Sequence, residues 1–338
     1  MGFSDFSEVF IFLSGYVNAG VYRRALEAGG AQRALHKIGA RVLRLYVAHI
    51  ASMAAGMTVI AAFASRGLRL NDPALYLWMD APGRYAVRSL ALLYAPNWFD
   101  LLPLYIVLAP VTLLAVIAMR RRPLFTLAIS CAIWCAAQTH AFDLRGLTGE
   151  GSWSFNPLAW QFLFVIGAST ETYWGRIRRA IDSRGVRWCA AAVVLISFAL
   201  RAVTRFRGVQ RSLAPAFLSL MAHDAGKVSV SPLRLVHFFS LAILVVALPW
   251  NTRRIFESAV ARAAIGTGRD SLPIFCVTLV LTPAGNLLLQ HYRGGLAAQF
   301  AFSALGLGIM SGIAFARGKV PAAPVVHSLE LQPEQSRK

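Results

Sequence analysis

The stretch Phe6-Ser7-Glu8-Val9-Phe10-Ile11-Phe12-Leu13-Ser14-Gly15-Tyr16-Val17-Asn18-Ala19-Gly20-Val21-Tyr22, closed at once by Arg23-Arg24, decides the fold. It reads as a membrane-spanning helix. About 20 mostly apolar residues at ~1.5 Å rise each cross the ~30 Å hydrocarbon core, where a helix satisfies its own backbone hydrogen bonds. The pattern recurs along nearly the whole chain, as far as residues 294–315, with arginine-rich segments in between. The chain therefore reads as all-α, a polytopic transmembrane helical bundle, and its function lies within or across a bilayer.

Composition excludes the main alternatives. Of 338 residues, 57% are hydrophobic and 14% charged, against about 25% charged in soluble domains. The 34 Lys+Arg against 15 Asp+Glu come in short groups between apolar runs, not in one aromatic-studded patch. This is the positive-inside distribution, so membrane lipid is the expected surrounding and nucleic acid is not a partner. Cys131, Cys135, Cys189 and Cys276 lie within apolar stretches without a CxxC pair, and read as packing residues. No third ligand accompanies Cys131, Cys135 and His140, so no metal site is expected.

The candidate spans are 6–22, 42–64, 98–119, 124–140, 155–174, 188–204, 232–250, 271–290 and 294–315, about nine in all. Residues 1–315 read as one membrane domain. Residues 316–338, rich in Pro, Gln and Glu, read as a disordered cytoplasmic tail. Arginine groups follow the first, third, fifth and seventh spans, which places those loops in the cytoplasm and the loop 143–154 outside. The loop 205–231 is the misfit, since Arg205, Arg207, Arg211 and Lys227 fall on the outer side. Either it lines a site for an anionic group or the span count is off by one there. This topology also puts Met1 outside, which a further helix ahead of it would correct.

Ionisable and amide side chains in or beside apolar spans are costly, and are the default functional candidates. Glu8 stands one turn from Asp5 at the outer end of the first span, either capped by a neighbouring helix or orienting a catalytic group. Ser14-Gly15 reads as a close-packing step between helices, since no nearby base would activate the serine. Arg41 and Arg44, three apart at a cytoplasmic helix start, are either headgroup anchors or a grip for a phosphorylated cytosolic donor. In Phe155-Asn156-Pro157-Leu158-Ala159-Trp160-Gln161, Asn156 and Pro157 fit an N-cap and first helical position. Trp160 and Gln161 would suit stacking on, and hydrogen bonding to, a sugar, although an interfacial tryptophan is commonly a belt residue. Lys227, Arg234 and His237 form a basic outer cluster suited to a carboxylate-bearing group.

Several separate motifs resemble the OpgC family. They are Gly2-Phe3-Ser4-Asp5 running into Glu8–Tyr16, Trp98-Phe99-Asp100-Leu101-Leu102-Pro103-Leu104-Tyr105, the segment from Phe155 to Gln161, Pro232-Leu233-Arg234 with His237, and Gly268-Arg269-Asp270-Ser271-Leu272-Pro273-Ile274-Phe275. The resemblance implies a membrane acyltransferase of ten helices that takes an acyl group, succinyl in the family's named activity, from cytoplasmic acyl-CoA to a hydroxyl of a periplasmic glucan or other saccharide. Acyl-CoA, succinyl-CoA in that activity, would be a donor substrate and not a bound cofactor. It further implies that Arg41 and Arg44 hold the donor's phosphates, and that Glu8, Asn156, Gln161, Lys227, Arg234 and His237 serve the acceptor side. Members carry their expected catalytic histidine on a helix immediately before the segment matching Gly2. The catalytic base is therefore expected ahead of Met1, with Glu8 supporting it, and His49, His140 and His237 do not inherit the role. That absent helix would also be the natural neighbour of Glu8 and of the Ser14-Gly15 step, and without it the chain would be inactive. A transporter or flippase of a polar lipid or glycan is the competing reading, and it predicts paired halves with matching broken helices.

Overall fold

The computed structural model describes residues 4–70, 75–96, 98–139, 155–203, 228–248, 258–292 and 294–319. Among these the secondary structure is helical and without strands: α1 (Phe6–Ala64), α2 (Leu77–Asp80), α3 (Pro82–Leu90), α4 (Leu101–Met119), α5 (Pro123–Gln138), α6 (Pro157–Thr172), α7 (Trp174–Ile181), α8 (Arg184–Val203), α9 (Pro232–Ala247), α10 (Ala259–Arg269), α11 (Ser271–His291) and α12 (Leu296–Ala316). They form two compact units, one of Met1–Arg44, Tyr94–Pro96 and Asp100–Leu248, the other of Leu45–Leu93, Asn97–Phe99 and Pro249–Lys338.

Each apolar run expected to span lies in a helix, but the count differs. Among the described residues, five helices are long and apolar enough to cross a membrane: α1, α4, most of α8, α11 and α12. The apolar helices α5 and α9, and likewise α6, have 16 residues, or about 24 Å of rise, short of a full hydrocarbon core. The structure thus establishes a polytopic helical bundle and not the figure of nine spans. Segments expected as plain loops carry α2, α3, α7 and α10. In α7, Arg176 and Arg179 lie on the side away from the buried Ile181, the alternation of a helix lying along an apolar surface.

The 59-residue α1 is two helical arms separated by non-helical backbone at Gly29 and Gly30. Gly30 has φ 62°, a left-handed conformation that glycine adopts without steric cost. Tyr22 and Ala25 before the break share one apolar cluster with Ala34 and Ile38 after it, together with Leu113 of α4. The chain therefore doubles back, which is why 6–22 and 42–64 read as separate spans. The return arm begins well before residue 42, because Ala31-Gln32-Arg33-Ala34-Leu35-His36-Lys37 contains strong helix formers and no proline.

The first unit packs α4 and α5 against α6, and α8 against α9. Along the first arm of α1 the buried positions are Glu8, Ile11, Gly15, Asn18, Tyr22 and Ala25, with Ala19 and Gly20 beside them. Steps of three and four make this the inward stripe of a packed helix. Gly15 lies against the carbonyl oxygen of Phe164, and Gly167 against that of Phe12. The Ser14-Gly15 step thus has its close neighbour in α6.

Candidate functional site

Two helix starts carry the charged centre of the first unit. Ser231 caps α9, its side chain accepting from the Arg234 amide, and Pro232 occupies the first turn, where its missing N–H leaves nothing unpaired. That start aims Arg234 and, three residues on, His237 into the unit, where both are nearly fully buried. At the head of α1, Asp5 accepts from the Ser7 amide at 2.8 Å and the Asp5 amide donates to Glu8 Oε2 at 2.8 Å. This turn directs Glu8 inward, with no exposed surface.

Arg234 Nε donates to Glu8 Oε1 at 2.6 Å, Nη2 also pairs with Glu8, and Nη2 lies 3.3 Å from Asp5 Oδ2. Two carboxylates therefore answer one guanidinium. A buried carboxylate or guanidinium is tolerable only when so paired, and the pair welds α1 to α9. Any substrate anion approaching Arg234 competes with both acids. One turn along α9, His237 Nδ1 accepts from the Ser4 amide at 3.2 Å and meets Ser4 Oγ at 2.6 Å. Because a backbone N–H can only donate, Nδ1 is the unprotonated nitrogen and the neutral ring carries its proton on Nε2. In that tautomer the Nε2 edge offers a proton and takes none.

The expected sugar-facing segment is tied into the packing. Asn156 Oδ1 accepts from the Leu158 amide at 3.0 Å and its own amide donates to Val228 O at 2.9 Å, the N-cap role expected of it. Trp160 is fully buried, edge-on to Phe155 at 5.0 Å between centroids. Gln161 Oε1 accepts from Ser130 Oγ at 2.6 Å while Nε2 donates to Ser130 O at 2.8 Å, so its amide is matched to α5. Lys227, His140 and Asp143 lie outside the described residues, as do 205–227 of the basic loop.

The two candidate donor arginines part company. Arg44 is exposed and its Nε donates to Ala40 O of its own helix at 3.1 Å. Arg41 is half-buried, its Nε is covered and finds no partner among the described residues, and Tyr22 and Tyr105 lie within its electrostatic reach. The two lie on one side of the helix but about 60° apart around it, enough for one side chain to turn inward while the other faces out. Nearer the hairpin turn, Arg23 pairs with Glu171 at 2.8 Å and with Glu27, which Arg120 also approaches.

The structure thus brings together Glu8, Arg234, Asp5, Ser4 and His237, and sets Arg41 elsewhere in the same unit with Tyr22. Ser4 and Ser130 went unmarked in the sequence, as did Asn18 and Tyr22. The last two were within reach, because they continue the spacing that begins at Glu8. In the second unit, Asn286 and Gln290 with Thr278, Thr282, Gln299 and Ser303 line a groove of about 930 Å³ between α11 and α12, and Asp270 pairs with Arg317. Among the described residues no cluster of His, Cys, Asp and Glu could hold a metal ion.

A family model described as OpgC protein matches residues 1–321. No curated protein and no solved structure matches the chain.

Proposed function

The chain belongs to the OpgC protein family, membrane-embedded and of acyltransferase type, and from that premise we propose that it takes part in moving an acyl group from cytoplasmic acyl-CoA to a saccharide hydroxyl on the far side of the bacterial inner membrane. The observation that carries the reading is the buried pairing of Glu8 with Arg234, beside His237, inside a bundle of apolar helices. A spanning bundle gains little by burying such charges for stability alone. In the proposed reaction the acceptor hydroxyl adds to the thioester carbonyl. Its proton passes to a base, the C–S bond breaks, and the thiolate leaves as coenzyme A. An N–H aimed at the carbonyl oxygen stabilises the developing oxyanion, and the Nε2 proton of His237 is chemically suited to that task.

In this reading Glu8 and Arg234 hold the geometry of the acceptor end, and Arg41, with Arg44 nearer the surface, meets the donor's phosphates. Asn156, Trp160 and Gln161 support that end through the α6 scaffold, and Lys227 adds charge for an anionic acyl group or glucan. Succinyl is the acyl group that best suits a basic rim. The test is a transfer assay in nanodiscs, run with the chain by itself and with a helix bearing the family's histidine fused ahead of Met1, using radiolabelled succinyl-CoA and a glucan. Label appearing on the glucan, and lost in Glu8→Gln, supports the reading. Movement of glucan across a proteoliposome membrane without any acylation would replace it with the transporter.

A further inference from the structure

Among the buried side-chain donors of the first unit that lack a hydrogen-bond partner among the described residues, three belong to the α1 hairpin. Asn18 is 4% exposed and Tyr22 1% exposed. The Asn18 Nδ2, the Tyr22 hydroxyl and the Arg41 Nε find no hydrogen-bond partner among the described residues. A native interior rarely leaves buried donors unmatched, since each costs its full desolvation. Three in one neighbourhood mark a place built for something that brings acceptors.

Their placement supports this. Asn18 and Tyr22 are one helical turn apart on the buried stripe of α1. Tyr22 packs with Ile38 on the return arm, and Arg41 follows Ile38 by one further turn, which brings it back alongside Asn18 and Tyr22. Among the described residues no carboxylate pairs with Arg41: Glu27 and Glu171 are engaged by Arg23 and Glu8 by Arg234. The neighbourhood lies seven to eleven residues along α1 from the Gly29-Gly30 turn. By helical rise that is roughly 10–17 Å inward from the tip of the hairpin.

We infer that Asn18, Tyr22 and Arg41 form an internal subsite for a phosphoester-bearing ligand, the phosphate and amide end of the acyl donor, entering from the hairpin side. The inference rests on the proposed donor reading and adds Asn18 and Tyr22 to it as positioning residues. A phosphate offers only acceptors to three donors and a net negative charge to the guanidinium. The same chemistry could come from a lipid phosphate, so the experiment must separate the two.

The full chain is placed in phosphatidylcholine nanodiscs, and binding of desulfo-coenzyme A, which cannot react, is measured by calorimetry and by the rise in melting temperature it causes. Tyr22→Phe keeps the shape and removes only the hydroxyl. It is expected to leave the unliganded protein at least as stable, since a buried unpaired group is gone, while weakening coenzyme binding roughly tenfold or more. Asn18→Leu should behave likewise, and Arg41→Ala should abolish the melting shift. Wild-type binding by Tyr22→Phe and Asn18→Leu, with Arg41→Ala impaired, would overturn the subsite and leave the donor reading standing. Absence of coenzyme binding by the unaltered chain would instead remove the donor reading itself. If phosphatidylglycerol in the disc competes coenzyme away in the unaltered chain but not in Tyr22→Phe, the pocket's guest is a lipid phosphate and the inference fails.

Discussion

Gly15 of α1 and Gly167 of α6 are reciprocal clearances: each faces a carbonyl oxygen of the other helix, at Phe164 and Phe12 respectively. A Cβ at either position would sit well inside contact distance of backbone, which cannot swing aside as a side chain can. The consequence is that α1 is held against α6 by close backbone approach, as small residues permit between membrane helices, and the Glu8 turn is fixed about two helical turns away along α1.

Gly15→Ala and Gly167→Ala are each expected to destabilise the protein by about 1–3 kcal/mol, the usual penalty of overpacking. Gly39→Ala, where an added Cβ meets nothing within 4 Å, should be neutral or slightly stabilising through helix propensity. Thermal unfolding in one detergent compares the three. Equal melting temperatures would show that the helices separate freely.

Glu8→Ala leaves the buried Arg234 with the more distant, partly exposed Asp5 in place of two carboxylates and is expected to cost about 3 kcal/mol. Replacing both, as Glu8→Leu with Arg234→Met, should recover much of that stability while acyl transfer remains lost. Stability and activity that recover together in the double variant would reduce the pair to a structural weld.

Gln161→Leu removes three hydrogen bonds to α5 and α6 and leaves Ser130 Oγ without its partner. The expected loss is about 1–3 kcal/mol. Steady-state kinetics distinguish support from substrate contact: a fall in melting temperature with an unchanged acceptor KM marks Gln161 as scaffold, whereas a raised KM at unchanged stability gives it to the saccharide.

Reporter fusions after Lys338 and within the loop 143–154 check the orientation argued from the arginine groups. The first is expected to be active in the cytoplasm and the second outside. A fusion after Lys338 active only in the periplasm would invert the whole topology, and with it the sidedness of the proposed donor and acceptor ends.

Much of the architecture was legible without coordinates. Apolar runs of near-membrane length force helices, because in hydrocarbon the backbone must satisfy itself, and this holds whatever the neighbours. Asn156 before Pro157 announced a helix start for the same local reason, and Ser14-Gly15 announced a close approach. Glu8, Arg234 and His237 stood out one by one, since charge inside apolar sequence is conspicuous. What the chain could not state is who meets whom. Glu8 and Ser14-Gly15 were expected to find their neighbours in a helix ahead of Met1, and they find them in α9 and α6, 226 residues and about 150 residues away. Arg41 and Arg44 looked alike in sequence and differ in surroundings, because only the fold of the Gly29-Gly30 hairpin turns one of them toward Tyr22. Backbone self-sufficiency is a local requirement that sequence displays directly. Pairing of buried charges is settled by which helices pack, and packing energy is shared among many weak contacts that no single stretch of sequence records.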